Sequence, residues 1–87
     1  MADNNTMREQ LINELRAQIA LDEAAMKELD DRISTEMYAI STIRGGAFAG
    51  AAENACRARA DKARNQKARI EKNYTWRKDM LSKYGKA

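Results

Sequence analysis

The sequence predicts an all-α protein in which two long helices fold back on each other as an antiparallel, coiled-coil-like hairpin. Its 87 residues contain no proline, the residue that most strongly interrupts helices. Apolar residues recur at alternating steps of three and four, which is the spacing of a coiled-coil seam. The adjacent glycines Gly45 and Gly46 break this pattern and predict the turn. A chain of this length fits one domain, so we expect residues 1–87 to form a single helical-hairpin domain.

The first helix is expected from about residue 7 to residue 44. Thr6 and Glu9 match a capping box, in which the hydroxyl and the carboxylate each accept a backbone N–H of the first turn. This pattern predicts that the helix begins just after Thr6. The seam positions of this helix are Ile12, Leu15, Ile19, Asp22, Met26, Leu29, Ile33, Glu36, Ile40, Ile43 and Ala47.

The turn is expected at about residues 45–47, and the second helix from about residue 47 to residue 84. Gly85 has a lysine nearby on each side, which predicts a C-terminal cap. No Ser, Thr, Asp or Asn stands just ahead of Ala47 to cap the second helix. One long helix kinked at the glycines is therefore the alternative fold. The seam positions of the second helix are Cys56, Ala60, Ala63, Lys67, Ile70, Tyr74, Arg77, Leu81 and Tyr84.

In an antiparallel hairpin, the residue numbers of two facing residues add to a constant. When this sum is 92 or 93, the seam residues of the first helix face the seam residues of the second. Pairs that meet at these sums are Ile12–Leu81, Ile19–Tyr74, Met26–Lys67, Ile33–Ala60, Leu29–Ala63 and Ile43–Ala49. Among flanking charges, this register predicts a favourable contact of Asp30 with Arg64. It also predicts like-charged contacts, which suggest that the acidic half also meets the basic half of another chain.

A hairpin of two helices has a core only one seam deep, and scaffolds of this size usually need a disulfide, a metal or a partner. The sequence has one cysteine and no histidine. We therefore expect self-association of the hairpin into a helical bundle, as a homo-oligomer. Four apolar residues fall off the main seam and are the candidates for this contact: Leu11, Leu21, Met37 and Tyr38.

The net charge of +3 conceals a strong asymmetry. Residues 1–56 carry five basic and ten acidic side chains, whereas residues 57–87 carry eleven basic and three acidic ones. A basic helix with an exposed aromatic side chain suits either an acidic protein surface or phosphates. The candidate residues for binding a partner protein or nucleic acid are Arg57, Lys62, Arg64, Arg69, Lys72, Trp76, Lys78 and Lys83.

Two carboxylates and one thiol of the predicted seam are candidates for a chemical role. Asp22 and Glu36 could form a cation site, or each could pair with a basic residue of the facing helix, such as Arg57, Lys67 or Arg69. We favour the ion pairs, because carboxylates without histidine or a third ligand rarely hold a metal. Cys56 lies on the apolar side of an alanine-rich stretch, and we expect it to be a small buried core residue.

These observations predict a non-enzymatic helical module without catalytic residues, a metal or a cofactor. We expect it to bind a larger protein partner as an inhibitor, adaptor or assembly factor. Its size and charge density resemble those of phage or mobile-element regulators that block a host machine. The alternative is a nucleic-acid-binding protein that uses the basic face of the second helix.

The sequence also predicts a cytoplasmic protein that does not enter the membrane. No apolar run approaches the roughly 18 residues that a spanning helix needs. The first residues lack the basic region and apolar core of a secretory signal. A single thiol suits a reducing compartment.

Overall fold

In a computed structural model, the chain forms two long helices that pack side by side as an antiparallel hairpin. Helix α1 spans Ala2–Thr42 and helix α2 spans Ala49–Gly85. The structure describes residues 2–43, 45, 46 and 48–85. The molecule is a rod of 72 × 16 × 14 Å. The predicted all-α hairpin is confirmed.

The single kinked helix is wrong, because the two helices contact each other along their length. Arg77 of α2 pairs with Asp22 in the middle of α1. At the open end of the hairpin, where α1 begins and α2 ends, Arg8 donates to the backbone carbonyl of Tyr84 through Nε at 3.0 Å. A straight or gently kinked rod would hold these groups far apart.

Helix α1 begins at Ala2, five residues before the predicted start at residue 7. Thr6 therefore lies inside the helix, and the predicted capping box is wrong. Residues 2–5 contain neither proline nor glycine, so nothing in the backbone stops the helix from extending past Thr6. At its other end α1 stops at Thr42, and the N–H of Ile43 donates to the carbonyl of Ile40 at 3.3 Å. The predicted end at Arg44 lies outside the described residues.

Helix α2 begins without a side-chain cap, as the sequence indicated. Its first residue is Ala49; the predicted start at Ala47 lies outside the described residues. The carbonyl of Phe48 accepts the N–H of Ala52 at 3.0 Å, which places Phe48 at the N-cap position. An aromatic ring cannot accept the free N–H groups there, so the first turn depends on backbone partners and water. Gly85 is the last residue of α2 rather than the residue after it.

The core is a single seam in which large side chains of α1 face small side chains of α2. The buried apolar residues of α1 are Leu15, Ile19 and Leu29, and those of α2 are Cys56, Ala60 and Ala63. Ala60 is 0% exposed, so the two helices approach closely at this level. Burial of each large α1 side chain contributes about 1.5–3 kcal/mol, and this seam is the main source of stability.

The polar contacts between the helices do not share one sum of residue numbers. The ion pairs Glu36–Arg59, Asp30–Lys67 and Asp22–Arg77 sum to 95, 97 and 99, whereas Arg8 and Tyr84 at the open end sum to 92, as predicted. The predicted contact of Asp30 with Arg64 is wrong, since Arg64 pairs with Asp61 of its own helix. Long basic side chains of α2 reach carboxylates about one helical turn from the residue that directly faces them, so these pairs do not define the backbone register.

Enlarging the fully buried Ala60 tests the close approach of the helices. Ala60→Leu should lower the free energy of unfolding by about 1–3 kcal/mol, because the added atoms have no space between the helices. Urea unfolding followed by circular dichroism at 222 nm measures this change. The matched control is Ala58→Leu at an exposed position of the same helix, which should stay within about 0.5 kcal/mol of wild type. Equal effects of the two changes would contradict the packing described here.

Candidate protein-binding surfaces

One long side of the hairpin carries a series of open grooves between the helices, which we name the groove face. Its middle part is lined by Ala25, Glu28, Leu29 and Arg32 of α1 and by Gln66, Arg69 and Ile70 of α2. Toward the turn, the lining includes Thr35 and Lys62. Toward the open end, the lining includes Met7, Leu11, Lys83 and Tyr84.

Two rows of residues spaced by seven border the groove face. Residues seven apart keep the same position relative to a coiled-coil seam, so each row stays on this side of the molecule. The row on α1 consists of Met7, Glu14, Leu21, Glu28 and Thr35, and we name it the α1 row. The row on α2 consists of Lys62, Arg69, Trp76 and Lys83, and we name it the α2 row.

The two rows present matching residues at equal levels along the rod. Glu28 lies across the groove from Arg69, since both line its middle part. Leu21 and Trp76 lie one heptad closer to the open end than Glu28 and Arg69. Their side chains are 62% and 60% exposed. Two large apolar side chains are therefore exposed at the same level of the rod, one on each helix, with charged residues before and after them in their rows. Single exposed apolar residues are ordinary, but an apolar pair bordered by charges is typical of a contact surface.

The opposite side of the hairpin carries a different set of residues. A second groove there is lined by Glu23, Met26, Lys27, Asp30, Lys67, Glu71, Tyr74 and Thr75. Arg57, Arg64 and Lys78 lie seven or fourteen residues from Glu71, so they border this second groove. Lys78 places its Nζ atom 5.2 Å from the centre of the Tyr74 ring, a cation–π contact.

The structure distributes the eight predicted binding residues of α2 over both sides. All eight side chains are exposed. Lys62, Arg69, Trp76 and Lys83 border the groove face, whereas Arg57, Arg64 and Lys78 lie on the opposite side. Lys72 belongs to neither set. The eight residues therefore do not form one continuous basic face. A cluster of basic residues close in sequence spreads around a helix, because successive residues are separated by about 100°.

Several basic residues of α2 are already occupied by carboxylates of the same molecule. Asp22 binds Arg77 at 2.5 Å and Glu36 binds Arg59 at 2.8 Å. The prediction that each seam carboxylate pairs with a basic residue of the facing helix is confirmed, but the residues suggested for this role were the wrong ones. The hydrogen bond from Lys67 to Asp30 also raises the pKa of Lys67. These contacts neutralise part of the positive charge of α2.

Three of the four residues predicted for self-association are exposed. Tyr38 is 72% exposed, and Leu21 and Met37 are exposed as well, whereas Leu11 is half-buried in the open-end groove. Sequence reasoning missed three further exposed residues: Met7, Phe48 and Tyr84, which had been placed on the seam. Met7 could have been found, because it lies fourteen residues before Leu21 in the same row. No repeat pattern indicated Phe48, which lies between the turn and α2.

Glu36, Arg59 and Cys56 form a small polar cluster near the turn. Arg59 donates to Glu36, and this bond holds the pKa of the Glu36 carboxyl below its ordinary value. A second N–H of Arg59 lies 3.4 Å from the Cys56 sulfur. Burial raises the pKa of the Cys56 thiol, and the neighbouring Glu36 raises it further. The cluster therefore keeps the thiol protonated, which is the reverse of the activation that a nucleophilic cysteine requires.

Across residues 2–43, 45, 46 and 48–85, no three histidine, cysteine, aspartate or glutamate side chains come together in a way that could hold a metal ion. Over the same residues, neither helix has a stretch long and apolar enough to cross a membrane.

Comparison of the chain with models of known protein families, with curated proteins and with solved structures gives no match.

The Glu36–Arg59 pair predicts a pH dependence of stability. The pKa of Glu36 is lowered in the folded protein, so the ionised carboxylate stabilises the fold. This stabilisation is fully present above the ordinary pKa of 4.5 and is lost as the pH falls through the pKa of the folded state. Glu36→Gln should therefore lower the melting temperature at pH 7, with a difference from wild type that shrinks below pH 4.5. Thermal melts from pH 7 to pH 3 measure this difference. The control Glu9→Gln removes an exposed carboxylate for which the described residues provide no ion pair, and it should produce no such trend.

The buried thiol predicts slow chemical modification. Cys56 should react much more slowly with a disulfide reagent in the folded protein than in denaturant, because it is buried and its pKa is raised by burial. Absorbance of the released thiolate follows the reaction at pH 7.5. In the double variant Ala55→Cys with Cys56→Ser, the thiol moves to an exposed neighbouring position and should react quickly. Fast reaction of the folded wild type would show that the seam opens at Cys56.

Proposed function

We propose that this protein is a non-enzymatic helical module that binds a larger protein partner, acting as an inhibitor, adaptor or assembly factor. The observation that carries the proposal is an exposed cluster next to the turn, which begins on the side opposite the groove face and continues over the outside of α1. We name this cluster the turn-end patch, and it consists of Met37, Arg57 and Arg64 together with Tyr38, which follows Met37 on the outside of α1. Phe48, which is 82% exposed, lies beyond it at the start of α2.

The turn-end patch has the composition of a protein interface. The Met37 sulfur lies 3.6 Å from a guanidinium nitrogen of Arg64, which joins the two helices in one surface. Tyrosine, arginine and methionine are enriched at interfaces, and tyrosine and arginine are frequent hot spots. Asp61 and Glu53 hold the guanidinium groups of Arg64 and Arg57. Partly fixed side chains lose less conformational entropy when a partner binds.

The surface area of the chain also supports a binding role. The protein exposes 6799 Å² for a mass of 9.8 kDa. A compact monomer of this mass would expose about 5,200 Å². The difference, about 1,600 Å², is about twice the area of roughly 800 Å² that one partner contributes to a typical protein–protein interface. A rod with one seam thus retains the amount of surface that a partner could cover.

Nucleic acid binding by α2 stays the alternative, and the ion pairs weigh against it. Five of the ten described basic residues of α2 pair with carboxylates: Arg57, Arg59, Arg64, Lys67 and Arg77. Lys62 and Arg69 of the α2 row share groove linings with the acidic side chains Glu28 and Asp31. Binding of nucleic acid grows stronger with the number of phosphates that basic side chains neutralise, and these carboxylates compete with phosphate for the same basic side chains.

Affinity capture from native-context lysate tests the proposal, with and without nuclease. Wild-type protein should retain one stoichiometric protein after nuclease treatment. The double variant Tyr38→Ala with Arg64→Glu should reduce this capture at least about tenfold, since two hot-spot residues are lost. Gln10→Ala, an exposed change at the open end, should capture as wild type does.

Two results would contradict the proposal. One is undiminished capture by the double variant. The other is recovery of nucleic acid with loss of all proteins after nuclease, and an affinity that falls steeply with salt concentration would then support the alternative.

A further inference from the structure

The groove face holds two exposed rows whose chemistry is complementary, and the proposed partner site on the opposite side does not use them. From the open end toward the turn, the α1 row reads Glu14, Leu21, Glu28 and Thr35, and the α2 row reads Lys83, Trp76, Arg69 and Lys62. At each level an acid matches a base, an apolar residue matches an aromatic one, or a hydroxyl matches an ammonium. The numbers of every matched pair sum to 97, as they do for the observed ion pair of Asp30 with Lys67.

We propose that a second copy of this chain docks on the groove face and forms a parallel, two-fold symmetric four-helix bundle. The symmetry axis runs along the rod, between the two groove faces. A half-turn about this axis keeps each level unchanged and exchanges the two helices. The α1 row of each copy then packs on the α2 row of the other.

This arrangement makes each favourable contact twice. Leu21 of each copy packs against Trp76 of the other, near the middle of the contact, where hot spots concentrate. Glu28 of each copy, whose carboxylate also accepts from Arg32 of its own helix at 2.9 Å, meets Arg69 of the other, and Glu14 meets Lys83 of the other. The half-buried Leu11 lines the open-end part of the same face. Met80, also half-buried, lies fourteen residues from Gln66 of the same face, so both would extend the apolar contact.

Charge excludes the other two-fold arrangement of the same faces. An axis across the rod would place α1 on α1 and α2 on α2. Residues 1–56 are acidic and residues 57–87 are basic overall, so like charges would face each other along both contacts. Like-charged groups at an interface strongly disfavour association. Only the parallel arrangement places the acidic helix of one copy on the basic helix of the other.

The groove face is also large enough for a stable dimer. The rod measures 72 Å by 16 Å, and a face of these dimensions has a flat area of about 1,150 Å². A typical interface buries about 800 Å² on each partner. The apolar pair of Leu21 and Trp76 and the bordering charges fit the usual pattern of an apolar centre with a polar rim.

Sedimentation equilibrium of the full chain over a range of concentrations tests the proposal. Wild type should shift reversibly from 9.8 kDa toward twice that mass. Glu28→Lys and Arg69→Glu should each weaken the dimer at least about tenfold, because each homodimer then contains two like-charged contacts. An equimolar mixture of these two variants should dimerise nearly as wild type does, since every contact between the two different chains is again between opposite charges.

In the mixture, the two charge changes lie on different chains, so a contact within one chain cannot restore the dimer. Recovery of dimerisation would therefore show that residues 28 and 69 meet between the two copies. Leu21→Asp should also weaken the dimer, and circular dichroism should show that its helices are intact. The variant Tyr38→Ala with Arg64→Glu should dimerise normally, which separates this proposal from the proposed partner site.

Three results would overturn the dimer: a wild-type monomer at all concentrations, wild-type dimerisation of both charge variants, or a mixture that stays as weak as its components. A monomer that loses its captured protein upon Leu21→Asp would assign the groove face to the larger partner instead.

Discussion

The close packing of small α2 side chains against large α1 side chains is the contact on which the other features of the molecule depend. Ala60 and Ala63 are buried, and alanine at these positions lets the helix backbones approach each other. The seam is the only extensive apolar contact between the helices within the described residues. It therefore fixes which residues point outward. The α1 row, the α2 row and the turn-end patch are positioned by this one seam.

Electrostatic attraction between the acidic α1 and the basic α2 adds specificity to this packing. The pair of Asp22 with Arg77 is largely shielded from water, whereas Lys67 and Asp30 are more exposed. Exposed ion pairs contribute about 0–1 kcal/mol each, which is less than the burial of one leucine. The pairs therefore supplement the seam and do not define the register. The pairs also neutralise basic side chains of α2. The positive charge that α2 could present to an anionic partner is therefore smaller than its sequence indicates, although the net charge of the chain is +3.

The heptad pattern and the glycine pair were sufficient to predict the fold, but they did not identify the ion-pair partners or the basic residues that border the side opposite the groove face. The seam carboxylates were expected to pair with Arg57, Lys67 or Arg69, whereas Glu36 pairs with Arg59 and Asp22 with Arg77. The reach of these long side chains along the helix is not visible in a residue pattern. Arg57 and Lys62 are close in sequence, yet they border opposite sides, because a helix turns through about 500° between them. The start of α1 was also missed, since Thr6 fits a capping motif and fits a helix interior as well.

The parallel dimer and the turn-end patch would reinforce each other geometrically. In a parallel bundle, both turns lie at the same end of the rod. The groove faces are buried between the copies, so the two patches point outward from opposite sides of that end. A larger partner with two equivalent sites, or two partner chains side by side, could then contact both patches at once. Linked sites of this kind gain affinity by effective concentration, without new contacts at either site. An antiparallel dimer would instead place the patches at opposite ends of the bundle. The orientation chosen by the charges of α1 and α2 thus determines whether one dimer can act as a bivalent binder at one end.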